Sequence, residues 1–230
     1  MMHIITIVNQ WKETVQQSIV AIMSSKVTMP FDYTVYCGSL EEAGRKKLES
    51  LSAKYHFNLL NIKDLETNAD LPEKNVFHHA RQTIISENIP LIVVSPDVIV
   101  EKDTLQQLYE YQKLLKKSGL ISAVLTDGNG HIDIPHLYAR KYKRGINSVR
   151  KGLGFYCVLF THDFLKKMDF LDMPASKDRY DVWLGRRARQ MNYKNYLLTL
   201  CPVVHVNASS LLSRISRPIS YFWMRLTGQI

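Results

Sequence analysis

Cysteine, glycine and proline are scarce in this chain, and their scarcity excludes several classes of protein. The 230 residues include 3 Cys, 10 Gly and 8 Pro, too few for a disulfide-rich scaffold, a collagen-like repeat or a low-complexity chain. Cys37, Cys157 and Cys201 lie in separate apolar stretches without a Cys-X-X-Cys motif. This pattern predicts buried thiols in a reducing compartment, in an ordinary globular protein.

The chain also lacks a long hydrophobic run. Its longest segment without a charged side chain, 195–213, contains Pro202, His205 and Asn207, and is a poor bilayer span. Residues 1–8 show no basic region followed by a long apolar one, so we expect no secretory signal. The sequence therefore predicts a cytoplasmic protein.

Acidic side chains are scarce in the second half of the chain. The formal net charge is +9, and it divides into −3 for residues 1–115 and +12 for residues 116–230. Such an excess attracts polyanions such as phosphates, nucleic acid or anionic lipid, although a solvated basic face is the common alternative. Nucleic acid is the weaker candidate because the sequence contains no recognised nucleic-acid-binding module.

Strand and helix patterns alternate along the chain. Strands are predicted at 4–8, 33–37, 57–62, 90–94, 120–125, 155–160 and 201–206, from short β-branched or apolar runs. Helices are predicted near 15–23 and at 41–55, 78–86, 105–115 and 181–191, and a basic loop at 140–151. The alternation predicts an α/β fold with a mainly parallel sheet covered on both faces.

Polar residues that follow the predicted strands are the first candidates for a site, because ligands of open α/β sheets bind at the carboxyl ends of strands. Asp97 follows the most hydrophobic strand and could bind a divalent cation, although Ser-Pro-Asp is also common at helix starts. His205 lies within an apolar strand, where it is either a hydrogen-bonded core residue or a nitrogen ligand for manganese.

Several segments, in order, resemble family 2 type glycosyltransferases with the GT-A fold. IITIVNQ resembles the family's first nucleotide-binding strand, DYTVYCGS its second strand with the "DNGS" turn, and ARQTII its "ARNxGI" motif. LIVVSPDVIV resembles the DxD strand, DRYDVWLGRRARQMNYKNY the motif "EDxDLxxRxxxxGYK", and VVHVNASS the closing histidine strand. The resemblance covers the chain to about residue 210. It implies a Rossmann-like GT-A domain, 1–208, followed by a tail, 209–230.

The resemblance also implies an activity and its residues. The activity is transfer of a sugar from a nucleotide diphosphate sugar to a hydroxyl of a surface glycan or of its lipid-linked form, with inversion. Asp97 and His205 would hold a divalent metal, Mn or Mg, and either Asp181 or Asp178 would be the general base. The matching motifs place six residues at the donor: Val8, Asn9, Tyr36, Arg81, Ser95 and Asp97.

Two of these residues depart from the family pattern. Ser95 stands in place of the first Asp of DxD, and Tyr36 in place of the Asp that binds uracil. These departures imply a different nucleotide, a weaker dependence on metal, or loss of catalysis. The alternative hypothesis is therefore a GT-A-like scaffold that binds a partner without turnover.

Two basic segments suggest anionic partners. The loop residues Arg144, Arg150 and Lys151 could clamp a diphosphate of the donor or of a lipid carrier, or could be a solvated surface. In the tail, Leu211, Ile215, Ile219, Phe222 and Trp223 fall on one helical arc with arginines outside it. This pattern favours peripheral membrane binding, with docking on the domain or on a second copy in a homo-oligomer as the alternative.

Overall fold

The structure, a computed structural model, describes residues 1–65, 71–150, 153–174 and 180–206. Within these residues the strands are β1 (Met2–Val8), β2 (Phe31–Cys37), β3 (Asn58–Asn61), β4 (Leu91–Val94), β5 (Val98–Val100), β6 (Ser118–Thr126), β7 (Ile146–Val149), β8 (Cys157–Phe160) and β9 (Lys194–His205). The α-helices are α1 (Glu13–Met23), α2 (Glu42–Tyr55), α3 (Pro72–Ile84), α4 (Thr104–Leu114), α5 (His162–Lys167) and α6 (Tyr180–Gln190).

The nine strands of the described residues form one sheet in the order β3-β2-β1-β4-β8-β6-β9-β5, with β7 paired to β9. Strands β3, β2, β1 and β4 are mutually parallel. Strand β8 runs antiparallel between β4 and β6, and β6 and β9 are again parallel. The expected mainly parallel α/β sheet is confirmed, with antiparallel strands added in its second half.

Helices cover both faces of the sheet because each carries an apolar stripe at helical spacing. On one face, α1 packs Val15, Ile19 and Ile22 into a cluster that also contains apolar residues of α2 and α4. On the other face, α3, α5 and α6 contribute to a second cluster rich in phenylalanine. The three cysteines are buried and free, as their apolar surroundings predicted.

The structure corrects the predicted elements in the second half. The segment 140–151 is not a continuous loop, because Ile146–Val149 pairs antiparallel with β9. Strand β9 begins at Lys194 rather than at residue 201, and its register against β6 shifts between Ala123 and Val124. None of the helices in the described ranges is long and apolar enough to cross a membrane.

Candidate active site

The carboxyl ends of β1 and β2 meet at a narrow backbone cradle. The Gly38 N–H donates to the carbonyl oxygen of Val8 at 2.9 Å, which holds the two strand ends together. A Cβ atom at position 38 would lie 2.2 Å from Oδ1 of Asn9, so the Asn9 side chain occupies the space that a larger residue would need. Asn9 is exposed, whereas the Val8 side chain is buried and offers a ligand only its backbone.

Asp97 and His205 are in contact across the neighbouring strands β5 and β9. Val98, which follows Asp97, is paired with His205 in the antiparallel register, and the Val206 N–H donates to the Asp97 carbonyl oxygen at 3.1 Å. Oδ2 of Asp97 lies 3.1 Å from Nε2 of His205. The carboxylate and the imidazole are separated by 108 positions in the sequence, and sheet pairing brings them together.

Asp97 is held as a carboxylate by its neighbours. Burial opposes its ionisation, but hydrogen bonds from His205 and Ser95 outweigh burial and lower the pKa of Asp97 below its ordinary value. The Ser95 hydroxyl donates to Oδ1 of Asp97. No helix follows Asp97, because β5 begins at the next residue and α4 begins at Thr104. The structure thus excludes the helix-capping interpretation of Ser-Pro-Asp.

His205 contacts a second carboxylate that the sequence analysis missed. Its Nδ1 lies 2.9 Å from Oδ2 of Asp133, and both side chains are almost fully buried. The hydrogen bond with Asp97, which outweighs burial, and the hydrogen bond with Asp133 raise the pKa of His205. Because carboxylate oxygens only accept, both contacts are hydrogen bonds when both ring nitrogens carry a proton.

A tight turn brings Asp133 to this position. Oδ1 of Asp127 accepts the N–H groups of Asn129 and His131, each at 2.9 Å, and Thr126 forms a β-bridge with Ile132. The chain therefore folds back over the end of β6. The Asp-Gly-Asn-Gly turn is visible in the sequence, and a carboxylate shortly after it is the signal that could have pointed to Asp133.

The chemistry of these donors fits a divalent cation held by two protein ligands. Asp97 supplies an oxygen and His205 a nitrogen, and Asp133 behind Nδ1 is the kind of carboxylate partner that metal-bound histidines have. The described residues contain no group of three His, Cys, Asp or Glu side chains that could hold a metal ion. The remaining coordination positions would have to come from a bound ligand or water.

Two of the predicted donor residues have other contacts. Tyr36 is buried, and its hydroxyl lies 2.9 Å from Nδ1 of His79 on α3. The Arg81 guanidinium donates to the carbonyl oxygens of Leu165 and Lys166 at the end of α5, at 2.7 and 3.1 Å. The structure therefore places Tyr36 and Arg81 in the packing between α3 and its neighbours, and neither is hydrogen-bonded to the Asp97–His205 pair.

The structure describes one of the two candidate bases, Asp181, and two of the three candidate residues of the basic loop. Asp181 lies in the first turn of α6, is partly buried, and its Oδ1 accepts the N–H of Val182 at 2.8 Å. Burial raises the pKa of Asp181 despite this hydrogen bond. Arg144 and Arg150 are exposed on either side of β7. Asp178, Lys151 and the tail 209–230 lie outside the described residues.

The strand order and the helices on both faces define the GT-A fold of glycosyltransferases. The chain is similar to S. aureus TarS in complex with UDP-GlcNAc, with TM-score 0.61 and 14% identity over 92% of this chain and 62% of that one. It is also similar to the mannosyltransferase PcManGT from Pyrobaculum calidifontis in complex with GDP-Man and Mn²⁺, with TM-score 0.61 and 11% identity over 91% of this chain and 57% of that one.

The similarity extends over most of this chain but over a smaller part of the solved structures. The longer TarS structure is matched over 89% of this chain and 36% of its own length, again with TM-score 0.61. The chain therefore spans about one to two thirds of the length of these proteins. Protein-family models and curated protein sequences give no match to this sequence.

Proposed function

We propose that the chain is a glycosyltransferase that moves a sugar from a nucleotide diphosphate sugar to a hydroxyl of a surface glycan. The observation that carries this proposal is the contact of Asp97 with His205 at 3.1 Å, beside the last strands of a GT-A sheet. The similar structures bind UDP-GlcNAc in one case and GDP-Man with Mn²⁺ in the other. These complexes support a nucleotide sugar as the donor.

In this proposal Asp97 and His205 would hold a divalent cation, Mn²⁺ or Mg²⁺. Such a cation, when bound, would supply positive charge that stabilises a leaving nucleotide diphosphate. Ser95 keeps the Asp97 carboxylate oriented through its hydroxyl. The exposed Asn9 side chain, which fills the space at Gly38, is the group that a ligand at this cradle would contact.

Asp181 is the proposed general base for an inverting transfer. It would remove the proton of the acceptor hydroxyl while that oxygen attacks the anomeric carbon in line with the leaving diphosphate. Burial raises the pKa of Asp181, which makes its carboxylate a stronger base than an exposed one. Asp178, by its place in the resembling motif, remains the other candidate for this role.

The proposal also includes a lipid-linked acceptor and a place for the protein on a membrane surface. Exposed Arg144 and Arg150, with Lys151, would bind a diphosphate of the donor or of a lipid carrier. The amphipathic pattern of residues 209–230 would place the protein on the cytoplasmic surface of a membrane. Together these features favour a lipid-linked acceptor.

A panel of nucleotide diphosphates and nucleotide sugars, with Mn²⁺ or with EDTA, tests the proposal. We expect one of them to raise the melting temperature by several degrees in Mn²⁺, because a ligand of the folded state stabilises it. Asp97→Ala should remove the Mn²⁺-dependent part of this shift. Asp181→Asn should lower transfer at least 100-fold but keep the Mn²⁺-dependent shift in melting temperature. The exposed control Asp169→Asn should match the wild type both in transfer and in this shift.

The alternative, a GT-A-like scaffold without turnover, is favoured by one observation. Ser95 replaces the first Asp of the family's DxD motif, and its hydroxyl is bonded to the carboxylate that remains. Binding of a nucleotide sugar without hydrolysis or transfer to any acceptor glycan would support the scaffold. Absence of both binding and transfer across the panel would contradict the proposed transferase.

A further inference from the structure

Asp133 contacts the candidate site through His205, and this contact suggests a specific role. We propose that Asp133 is a positioning residue that fixes the His205 ring with Nε2 directed at Asp97, and so sets the affinity of the Asp97–His205 pair for a divalent cation. The inference rests on the proposed function, because it concerns the cation that the transferase would use.

The geometry assigns different partners to the two ring nitrogens. Nδ1 faces Oδ2 of Asp133 at 2.9 Å, and Nε2 faces Oδ2 of Asp97 at 3.1 Å. A buried carboxylate that accepts the Nδ1–H bond favours the tautomer with its proton on Nδ1, which leaves the Nε2 lone pair available to a cation. Without Asp133, the other tautomer and a flipped ring would compete with this arrangement.

The backbone holds the Asp133 carboxylate in place. The Asp133 N–H donates to the carbonyl oxygen of Leu125 at 2.9 Å, and the His136 N–H donates to the Asp133 carbonyl oxygen at 2.9 Å. The segment is thus tied to β6, which is itself paired with the strand that carries His205. The Asp133 segment is hydrogen-bonded to β6, and His205 lies in the neighbouring strand β9. The position of the carboxylate relative to the imidazole is therefore fixed by the sheet.

The ring of Tyr156 packs beside the same imidazole. Its centroid lies 5.9 Å from that of His205, and its carbonyl oxygen accepts the Ser95 N–H at 2.9 Å. Tyr156 therefore contacts His205 through its ring and Ser95 through its backbone carbonyl. Tyr156 limits the space around the imidazole, but the hydrogen bond of Asp133 decides which nitrogen faces Asp97.

Direct Mn²⁺ binding to the full chain, measured by electron paramagnetic resonance with UDP or GDP present, tests the role of Asp133. Asp133→Ala should weaken Mn²⁺ binding by about 10- to 100-fold, the usual effect of losing a partner of a metal-bound histidine. Asp133→Asn keeps an oxygen acceptor for Nδ1–H and should recover a large part of the affinity. The control Asp169→Ala, on an exposed carboxylate, should bind Mn²⁺ like the wild type.

Spectra of ¹⁵N-histidine-labelled wild type provide a measurement that does not require the Asp133 variants to fold. With Zn²⁺ and the same nucleotides, the His205 signal, assigned by its loss in His205→Gln, should show a protonated Nδ1 and an unprotonated Nε2. A protonated Nε2 in the metal-bound protein would overturn the inference. Asp133→Ala with Mn²⁺ affinity within about threefold of the wild type would also overturn it, given the expected 10- to 100-fold loss.

The two proposals fail in different ways. If wild type binds nucleotide sugar and Mn²⁺ but Asp133→Ala is unaffected, only the role of Asp133 is wrong. If wild type binds no Mn²⁺ with either nucleotide, the cation site and the role of Asp133 fall together. Transfer activity that persists in EDTA would then show that the transferase proposal survives without the cation.

Discussion

The two halves of the sheet contribute different kinds of groups to the candidate site. In the parallel half, β1 and β2 end in a backbone cradle, where Gly38 leaves space that the Asn9 side chain fills. In the mixed half, three ionisable side chains, Asp97, Asp133 and His205, converge through β5, β9 and the turn after β6. The parallel half therefore contributes a backbone cradle to the candidate site, and the mixed half contributes its ionisable side chains.

This division predicts that the halves respond differently to mutation and to pH. Substitutions at the cradle should change the room available there and leave the pH dependence of stability unchanged. Substitutions near the charged cluster should change how stability varies with pH, because buried ionisable groups couple protonation to folding. The four predictions that follow test this division, from the largest expected effect to the smallest.

Phe77 lies on α3, which packs against β1 and β4 of the parallel half, while its ring contacts the mixed half, so its truncation should destabilise both together. Its ring on α3 lies 5.3 Å from that of Phe170 and 6.2 Å from that of Phe160 on β8. Phe77→Ala should lower the free energy of unfolding by about 3–5 kcal/mol, because it leaves a cavity. Urea unfolding should remain a single transition, whereas Leu114→Ala, on an exposed side chain, should change stability little. Two separate transitions would show that the halves unfold independently.

His136 should make the stability of the mixed half sensitive to acid. Burial lowers the pKa of His136 to about 4, and its Nδ1 accepts the Leu125 N–H at 2.9 Å. Between about pH 6.5 and 4 the unfolded chain binds this proton and the folded chain does not, so stability falls as pH falls. The expected loss across this range is about 3 kcal/mol.

Urea titrations at several pH values check this expectation. His136→Gln, whose amide oxygen can still accept the Leu125 N–H, should be less stable near neutral pH but less dependent on pH below 6.5. The variant His56→Gln, at the exposed end of α2, should keep the pH dependence of wild type. An unchanged pH profile in His136→Gln would refute the assignment of this acid sensitivity to His136.

Gly38→Ala should alter the cradle of the parallel half without altering pH dependence. The added Cβ would lie 2.2 Å from Oδ1 of Asn9, so the amide must move. We expect a stability loss of about 1–2 kcal/mol and a severalfold weaker affinity for a nucleotide diphosphate, measured by calorimetry. Gly128→Ala, where a Cβ meets nothing within 4 Å, is the matched control. Equal affinities in the two variants would remove the cradle from the binding site.

Arg144 and Arg150 should have the smallest effect on stability. Both are exposed, so the double variant Arg144→Ala/Arg150→Ala should stay within about 0.5 kcal/mol of wild type. If these arginines bind a diphosphate, the variant should show weaker nucleotide binding and a shallower dependence on salt. Lys12→Ala, an exposed charge of the parallel half, should leave both unchanged. Identical salt dependence in the double variant and wild type would count against the proposed clamp.

Local sequence patterns predicted several long elements of both halves more closely than the short strands β5 and β7 of the mixed half. Strands β1 and β2 and helices α2 and α4 lie within about two residues of their predicted bounds, because each carries a regular apolar pattern along its length. Strands β5 and β7 have only three and four residues, and they exist because β9 offers both of them hydrogen-bonding partners. A short sequence cannot show a partner that lies about 50 positions away, as for β7, or about 100, as for β5.

The candidate site shows the same limit. The sequence singled out Asp97 and His205, and the structure places them in contact, although their role in metal binding stays a prediction. Asp133 was missed because the Asp-Gly-Asn-Gly turn predicts a reversal of the chain but does not show that the following carboxylate reaches His205. Tyr36 and Arg81 occupy matching motif positions, yet their hydrogen bonds lead to His79 and to the end of α5. Motif position alone did not show where their side chains go.

The wide spacing of Asp97, Asp133 and His205 along the chain has a consequence for biosynthesis. Ribosomes release a protein from its amino end, and early segments begin to fold before later ones emerge. Both aspartates therefore leave the ribosome well before the imidazole that lies between them in the finished sheet. An incomplete nascent chain would hold two carboxylates without the imidazole that both of them contact, and the cluster would form only when β9 has paired.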